Sequence, residues 1–573
     1  LGESESRSAY EARAVEARLL GRPEKAQEIL AKLVERYPGD TEARVELAEA
    51  YGEQGSLDKA IATLQAVVRV APHHPRAWFL LGKYSILAGN ARRAIDEYLV
   101  HALVVQNQLG SEEGRAEVLN AFGVAWRELG EAQRAAESYE QAAEIRRRIG
   151  DERGYATTLR NLATLHTVRG EHAAAERKLG EALAILERLG DGPGIADLYN
   201  ELGILAEERG RYEEALNHYQ RALRVRRDLG NDLAFAESFG NVGYACYLLG
   251  RYDDAMVYWR QGLDLAKKSG DPGGVVLATQ HLGLLELARG NWDESVKSFL
   301  AALGSSRELG MKEPAASSLG HLGRLAQYQG RPAAALASYA EALGVLRELD
   351  DRRGLAEFTL AAAEVEIELG MEKAAGERLR RAAELLKEGT NSEQQAELER
   401  LQGEWHLLRG ERAAAEAALR RALVDAEESH SVVELLDTRI SAARSLAEIE
   451  QLQAQAEALG HARLRLRAAE GVARAALAAG DLDRAREAAR TGLELAENFG
   501  GWSGAWRLHL LQARILEREG KRAEAETERE RALAEVERVS RGLAPEQRQS
   551  FHRLAEVREL DRIEVGRPAA TQG

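Results

Sequence analysis

The sequence predicts an all-helical protein built from consecutive helical hairpins, and two observations support this fold class. Glycine occurs at every twentieth residue from Gly110 to Gly330 without a gap. A turn residue every twenty positions indicates helix, turn, helix, turn, so a pair of helices repeats every forty residues. Hydrophobic residues make up 45% of the 573 residues and charged residues 30%, with 10 prolines, which suits a long helix-rich chain. We therefore predict an all-α solenoid of antiparallel helical hairpins.

Two successive units show what each hairpin needs. Residues 196–230 read ADLYNELGILAEERGRYEEALNHYQRALRVRRDLG, and residues 236–270 read AESFGNVGYACYLLGRYDDAMVYWRQGLDLAKKSG. Both contain, in order, an aromatic residue (Tyr199, Phe239), a Leu-Gly or Val-Gly pair, the turn glycine, a small residue (Ala215, Ala255) and a second aromatic residue (Tyr219, Trp259). Small residues are needed where the two helices of a hairpin touch, and large residues fill the space between hairpins.

This arrangement resembles the tetratricopeptide repeat. The longer units with their Leu-Gly-Asp linkers are similar to the forty-residue repeats of spindle-orientation adaptors and of bacterial regulators, and residues 238–256 are especially similar. The resemblance implies a right-handed superhelix whose first helices line a concave groove. It also implies that this groove holds an extended peptide or a helix of a partner protein.

The period divides the chain into segments. The turn glycines Gly21, Gly55 and Gly89 indicate units with a shorter period of thirty-four residues, and the six residues gained after them are expected to lengthen the second helix. The signature is lost after His430, although the pattern stays helical. We therefore predict three short units at 6–109, about eight forty-residue units at 110–429, a degenerate helical unit at 430–464, two units at 465–541, a capping helix at 542–562 and a disordered tail at 563–573.

Charge and composition exclude several classes of function. The formal charge of −15 repels phosphate backbones, which argues against a nucleic-acid partner. No run approaches the roughly 20 apolar residues of a membrane span, so we expect no membrane partner. The single cysteine, Cys246, excludes an internal disulfide, and its position predicts a small apolar core residue. These features favour the cytoplasm.

The sequence contains none of the motifs that carry enzyme chemistry. It has no GxxxxGK[ST] phosphate loop, no HExxH zinc motif and no nucleophile elbow. His73 and His74 have no third ligand nearby in the sequence. We therefore expect no catalytic residues, no cofactor and no metal site.

One column of polar residues, spaced by forty, falls on the first helices. By the register of the resemblance these positions face the groove, and they are Asn161, Glu201, Asn241, His281 and His321. Members of the family use an asparagine here to hold the backbone of a bound peptide, and Asn161 and Asn241 match that use. Glu201 and the two histidines depart from it. The alternative interpretation is a solvated polar face without a partner.

An apolar, tyrosine-rich patch is predicted one and two helical turns further along the same helices. It consists of Tyr244, Tyr247, Leu248, Leu284, Leu287 and Tyr328. A patch of this kind inside a groove is the usual form of a recognition site, although part of it could pack between adjacent hairpins. Arg127, Arg160 and Arg324 could bind ligand carboxylates, or could be scattered surface arginines. The arginines of Arg146–Arg148 and Arg224–Arg227 are expected to offset helix dipoles.

We therefore expect a scaffold that binds a protein or peptide ligand in its concave groove. It is expected to be the sensory or regulatory segment of a larger bacterial signalling protein, since the sequence does not begin with Met and a fused or docked effector domain would receive the signal. Three alternatives stay open: a free-standing adaptor, the regulatory region of a kinase, ATPase or protease whose catalytic domain lies outside this chain, and a peptide-pheromone receptor.

Overall fold

The computed structural model describes residues 6–20, 22–230, 232–387 and 392–565, and in these ranges the chain is helical without any strand. It divides into two compact units, Leu1–Leu198 and Tyr199–Gly573. The two helices of each regular hairpin pack most closely against each other, and successive hairpins pack side by side. The predicted fold class, an all-α solenoid of antiparallel helical hairpins, is confirmed.

The helices of the first unit are α1 Arg7–Leu19, α2 Pro23–Arg36, α3 Thr41–Glu53, α4 Leu57–Val70, α5 Pro75–Leu87, α6 Ala91–Arg93, a π-helical segment Ala94–Leu99, α7 Val100–Leu109, α8 Glu112–Glu128, α9 Ala132–Ile149, α10 Glu152–Val168 and α11 His172–Leu189. Helix α12, Gly192–Glu208, runs from the first unit into the second. From α8 onward the even-numbered helices are the first helices of their hairpins.

The helices of the second unit are α13 Tyr212–Leu229, α14 Asp232–Leu248, α15 Tyr252–Ser269, α16 Pro272–Arg289, α17 Trp292–Glu308, α18 Lys312–Tyr328, α19 Pro332–Glu348, α20 Arg352–Glu368, α21 Glu372–Leu386, α22 Ser392–Leu408, α23 Arg412–Ser429, α24 Val432–Ala442, α25 Leu446–Leu459, α26 Ala462–Ala479, α27 Leu482–Asn498, α28 Ala505–Arg518, α29 Arg522–Ser540, α30 Pro545–His552 and α31 Ala555–Val565.

The change of period lengthens both helices of the hairpin, so the expectation that only the second helix grows is wrong. First helices increase from 13 residues in α3 to 17 in α8, and second helices from 14 in α4 to 18 in α9. The connection between units becomes shorter at the same point. A four-residue link such as 71–74 is replaced by the two residues Gly150 and Asp151, which are a left-handed C-cap and the next N-cap.

Aspartate residues cap several of the first helices. Asp151 accepts a hydrogen bond from the backbone N–H of Gly154 at 2.8 Å, and Asp191 does the same for Gly194 at 3.2 Å. Asp350 stands twenty residues after Gly330, where the period would place the next turn glycine, and it adopts a left-handed φ of 54°. The turn is therefore kept without glycine, at a steric cost that aspartate tolerates better than most residues. Gly21 and Asn231 lie outside the described residues.

Small residues lie where the helices of a hairpin touch, as predicted. Gly243 on α14 packs against the ring of Trp259 on α15, and a methyl group there would overlap the indole. Ala215 and Ala255 are fully buried at the equivalent contacts after the turn. Cys246 is buried in the same hairpin core, which confirms its predicted role.

The degenerate segment folds as a hairpin with short helices. Helix α24 has 11 residues and α25 has 14, and α24 still packs on the first helices α22 and α26 on either side. The C-terminal cap consists of the two helices α30 and α31 rather than one. Helix α31 continues to Val565, so residues 563–565 of the predicted tail are helical, and residues 566–573 lie outside the described residues.

Within the second unit the solenoid winds back onto itself. We call residues 199–387 the first coil and residues 392–565 the second coil. Arg538 donates a hydrogen bond to the backbone carbonyl of Gln329, 209 positions earlier in the chain. Gly210 is so close to Ser429 that a methyl group would overlap its backbone carbonyl. The turns inside the first-coil hairpins therefore rest on the connections between the second-coil hairpins.

Aromatic residues mark where the coils touch. Tyr212, Tyr252 and Trp292 each begin a second helix of the first coil and are buried. The Trp292 ring lies 5.7 Å from Phe499 of the second coil. In the second coil the equivalent positions are taken by Arg412, Leu482 and Arg522. An aromatic side chain thus stands two positions after the glycine at three of the first-coil turns that contact the second coil, those at Gly210, Gly250 and Gly290.

Candidate functional site

The first helices of the second unit face each other across its interior. One position of the repeat supplies a residue from five successive first helices: Ile204, Tyr244, Leu284, Arg324 and Glu364. The character of this column changes from apolar to charged along the chain. The interior therefore has an apolar, tyrosine-rich end and an end that consists of ion pairs.

Arg400 on α22 lies at the centre of the charged end, and its side chain is 1% exposed. Its guanidinium Nε lies 3.0 Å from Glu434, and its other nitrogens lie 3.4 Å from Asp437 and 3.7 Å from Glu364. Glu404 is 3.3 Å away on the same helix. One arginine thus joins carboxylates from α20, α22 and α24.

Two further arginines on α26 complete the cluster. Arg463 binds both Asp437 and Glu364, and its guanidinium lies 5.9 Å from the centre of the Tyr328 ring. Arg467 also binds Asp437, and it lies 2.9 Å from Glu404. We call Glu364, Arg400, Glu404, Glu434, Asp437, Arg463 and Arg467 the interior ion cluster.

The ion cluster shifts the pKa values of its carboxyl groups in opposite directions. Burial raises the pKa of Asp437, but the surrounding guanidinium groups of Arg400, Arg463 and Arg467 outweigh it and hold that pKa well below its usual value. The pKa of Glu364 is likewise lowered, to about 2, although burial acts against this. Burial prevails at Glu434, where it raises the pKa to about 8 despite Arg400.

The tyrosine end lies between α14 and the opposite helices α20 and α22. Tyr244 lies 6.3 Å from Tyr247 and 6.1 Å from His281, measured between ring centres. His281 in turn stacks on Trp259 at 4.9 Å. Burial raises the pKa of Tyr244 well above its usual value, and the carboxylates of Glu207 and Glu393 act in the same direction.

Carboxylates surround this tyrosine end. Glu207 accepts a hydrogen bond from Tyr219 at 2.9 Å and lies 3.9 Å from Arg353. Glu393 accepts one from Ser431 at 2.6 Å. Glu357 lies 3.6 Å from Arg324. Burial raises the pKa of Glu207, because the charged form is poorly solvated in the interior.

The predicted site residues of the second unit divide into two groups. Glu201, Asn241, Tyr244, Tyr247, His281, Leu284 and Arg324 are partly exposed in the second unit. Leu248, Leu287, His321 and Tyr328 are buried, so the interpretation of these four as groove surface is wrong.

The reason for that burial is the second coil together with the aromatic core. Tyr328 and Leu287 pack in one cluster with Trp502, and the backbone carbonyl of Tyr328 accepts a hydrogen bond from Ser503 at 2.9 Å. His321 stacks on Phe299, with 5.2 Å between ring centres, and meets the edge of Phe358.

The predicted asparagines each bind another asparagine. In the first unit Asn161 donates a hydrogen bond to Asn120 at 3.0 Å. In the second unit Asn241 donates one to Asn200 at 2.6 Å. These hydrogen bonds connect neighbouring first helices, α8 with α10 and α12 with α14.

The predicted arginines also differ from one another. Arg127 lies 2.8 Å from Glu128, and Arg160 lies 3.7 Å from Asp197. Arg146 lies in the last turn of α9, where a cation can offset the helix dipole as expected, but it is buried and donates a hydrogen bond to Thr158 at 2.7 Å. Arg226 likewise lies in the last turn of α13, is buried and donates a hydrogen bond to Ser238 at 2.9 Å.

Sequence reasoning missed the residues of the interior ion cluster. The sequence does contain a sign of these residues. Arg324 and Glu364 continue the forty-residue spacing of Tyr244 and Leu284, so the apolar column becomes charged at this point.

Two features of the described residues bear on other functions. None of the helices in the described part of the chain is both long and apolar enough to span a membrane. Across the same residues, histidine, cysteine and carboxylate side chains form no group of three or more that could hold a metal ion.

Solved structures with the same type of helical repeat share little sequence with the chain. A Rap protein complexed with Competence and Sporulation Factor is 17% identical, with 62% of this chain and 99% of that chain covered and a TM-score of 0.44. The APC/C hetero-tetramer Cut9–Hcn1 is 13% identical, with 96% of each chain covered and a TM-score of 0.41. BtubC (BKLC) from P. vanneervenii is 23% identical, covering 37% of this chain and 92% of that one, with a TM-score of 0.34. None of the curated proteins compared with the chain matches it.

Family models match the chain directly. One model described as tetratricopeptide repeat matches residues 114–188, 154–228, 194–268 and 275–348. A second model with the same description matches residues 17–97. Together these matches cover more than half of the sequence, and the hairpins they mark are those of the structure. The chain belongs to the tetratricopeptide repeat family and is a helical scaffold of the kind that supports protein–protein interaction.

Proposed function

We propose that the chain binds an extended segment of a partner protein at the tyrosine end of the interior of its second unit. The surface for this segment consists of Ile204, Glu201, Asn241, Tyr244, Tyr247, His281 and Leu284. The observation that carries the proposal is an apolar side chain left in contact with water. Ile204 is 42% exposed, and it occupies the same repeat position as Tyr244 and Leu284.

Polar groups next to these apolar side chains support the same surface. The ring nitrogen Nδ1 of His281 is buried without a hydrogen-bond partner among the described residues, and an unmade bond of this kind costs free energy. The residue as a whole is partly exposed next to Tyr244, with 6.1 Å between the ring centres, so a bound segment can contact it. The Asn200–Asn241 pair lies on the two adjacent first helices and offers amide groups to the same segment.

The chain acts, in this proposal, as the regulatory segment of a larger bacterial signalling protein in the cytoplasm. The interior ion cluster connects four first helices, α20, α22, α24 and α26, and the coils touch beyond it. A ligand at the tyrosine end that favours one spacing of these helices over another would shift the population between two arrangements. A fused or docked effector domain would respond to that shift.

A selection experiment tests the proposal and does not require an identified partner. A displayed random-peptide library is selected on the wild-type chain and, separately, on the double variant Tyr244→Ala, Leu284→Ala. We expect sequences that are enriched on the wild type and lost on the variant. A second double variant, Arg224→Ala with Arg227→Ala, removes exposed charges from α13 and should enrich the same sequences as the wild type. Enrichment that is identical on all three proteins would contradict the proposal.

A further inference from the structure

The charges around the tyrosine end are unbalanced. Among the described residues, Glu207, Glu357, Glu393 and Glu397 contribute four carboxyl groups to this end. Two guanidinium groups, those of Arg324 and Arg353, face them. Arg400 lies 4.0 Å from Glu397, but it is already shared with Glu364, Glu404, Glu434 and Asp437. The tyrosine end therefore has more carboxyl groups than guanidinium groups.

The excess of carboxyl groups suits a positively charged ligand, and the tyrosine rings suit such a ligand too. A guanidinium or ammonium group is attracted to the face of a tyrosine ring, and more so where water is largely excluded. Tyr244 and Tyr247 lie on α14, and the carboxylates Glu357 and Glu393 come from the opposite helices α20 and α22. A cation between these helices would meet a ring on one side and carboxylates on the other.

Building on the proposed function, we propose that the bound segment is basic: an extended stretch in which lysine or arginine side chains alternate with apolar ones. The apolar side chains pack on Ile204 and Leu284. The basic side chains lie between Tyr244 and the carboxylates of Glu357 and Glu393. Alternation suits the site because successive side chains of an extended segment point in opposite directions.

The pH dependence of binding tests the proposal in a second way. Burial raises the pKa of Glu397 to about 7, with Glu364 and Glu357 acting in the same direction and Arg324 and Arg400 against it. A bound cation favours the charged form of this carboxyl group, so it must displace a proton below pH 7. Binding of a basic segment should therefore be tighter at pH 8 than at pH 6.

The test uses the full chain and two fluorescent peptides. One alternates arginine and leucine, and the other carries neutral citrulline in place of arginine. We expect the arginine peptide to bind at least about tenfold more tightly at physiological salt, because charge pairs that are removed from water are little screened and contribute strongly to affinity. The double variant Glu357→Gln, Glu393→Gln should remove most of that difference. Circular dichroism checks that its helices are intact.

The matched control removes the same charge elsewhere. Glu294 and Glu348 are exposed carboxylates on the second helices α17 and α19, with 64% and 67% of their side chains exposed. The variant Glu294→Gln, Glu348→Gln should bind the arginine peptide within about twofold of wild type, because exposed charges contribute little. Equal losses in both double variants would overturn the proposal, since they would reflect attraction to an acidic body in general.

The library selection separates this inference from the proposed function. Enriched sequences with alternating basic and apolar residues support both. Enriched sequences without basic residues overturn the charge inference and leave the proposed function intact. A library without any enrichment on the wild type contradicts the proposed function itself.

Discussion

Arg463 donates a hydrogen bond to Glu364, which lies 99 positions earlier in the chain, and both side chains are less than 10% exposed. This pair connects α26 of the second coil to α20 of the first coil across the interior of the second unit. Both groups would be strongly solvated in the unfolded chain. Their burial therefore makes the closed arrangement depend on both partners being present.

Replacement of Arg463 should strongly destabilise the second unit. Arg463→Met leaves Glu364 and Asp437 with fewer cationic partners in the interior, which costs about 3–5 kcal/mol when one member of a buried ion pair is removed. The free energy of unfolding from a urea titration measures this loss. Arg474→Met on the same helix is the control, since Arg474 is 60% exposed and should change the midpoint little. A loss no larger than that of the control would contradict the importance of the pair.

The contact between coils can be isolated with two glycines. Gly210→Ala and Gly410→Ala both place alanine at a left-handed φ, 69° and 75°, which costs about 1–2 kcal/mol in each case. The methyl group at position 210 would also overlap the carbonyl of Ser429, whereas position 410 has open space. We expect Gly210→Ala to have the lower melting temperature and faster amide hydrogen exchange in α23. Equal effects of the two substitutions on melting temperature and hydrogen exchange would show that contact between the coils does not contribute to stability.

Buried histidines should make the second unit sensitive to acid. Burial lowers the pKa of His281 to about 4, with His321 adding to the effect, and that of His461 to about 4. Burial lowers the pKa of His321 to about 3, and Arg324 contributes. In the unfolded chain these histidines have a pKa of about 6.5 and take up protons below that pH, whereas in the folded chain they stay neutral. The free energy of unfolding should therefore fall as the pH drops from about 6.5 towards 4.

A single substitution tests that prediction. His321→Phe keeps an aromatic ring between Phe299 and Phe358 and removes one proton-binding group. The loss in melting temperature between pH 7 and pH 5 should be smaller in this variant than in the wild type. The exposed His73 provides the control His73→Phe, which should keep the wild-type acid sensitivity. An unchanged slope in His321→Phe would mean that another group is responsible.

Glu368 should make the second unit less stable as the pH rises, whereas the buried histidines make it less stable as the pH falls. Burial raises its pKa to about 7, and Glu364 adds to this, while Arg507 and Arg463 lower it. Its pKa is higher in the folded chain than the ordinary value of 4.5, so its contribution to stability is present at low pH and is lost as the pH rises through about 7. Glu368→Gln should therefore lose less stability between pH 6 and pH 8 than the wild type. Exposed Glu372→Gln, measured in the same way, should follow the wild type.

Partner binding should depend on the partly exposed apolar side chains. Tyr244→Ala combined with Leu284→Ala is expected to weaken binding of a selected peptide by about thirtyfold, because loss of a central anchor typically costs about 2 kcal/mol or more. Titration of the labelled peptide measures the affinity. Arg224→Ala with Arg227→Ala should stay within about twofold of wild type, since exposed charges contribute little. If the variant Tyr244→Ala, Leu284→Ala is unfolded, these side chains belong to the core.

The sequence predicted the hairpins well because their signals are local. The turn glycines, the cap at Asp151 and the small residues against Trp259 act within one repeat, and a pattern with a period of forty reports them directly. The contact between coils joins residues about two hundred positions apart, and no periodicity within a repeat describes it. The aromatic residues Tyr212, Tyr252 and Trp292 carry that information, but a hairpin on its own gives no reason for them.

The interior site was only partly predictable for a related reason. Helical periodicity separates one face of a helix from the other, but it does not distinguish an open face from one enclosed by a second coil. Tyr244 and Leu284 stand at positions correctly assigned to the first-helix column. Arg463 and Glu364 occupy that same face, and a charged residue taken by itself gives no sign that it is buried in an ion pair.

The pairing of the coils also fixes how many hairpins the second unit can contain. In an open solenoid, one repeat can be gained or lost with little effect on the others, because each contacts only its neighbours. Here Gly210 is matched to Ser429, and Trp292 to Phe499. Duplication of a single hairpin between these partners would move every later loop by one step and place each aromatic side chain opposite the wrong connection. The second unit should therefore evolve by substitution within its repeats and resist changes in their number.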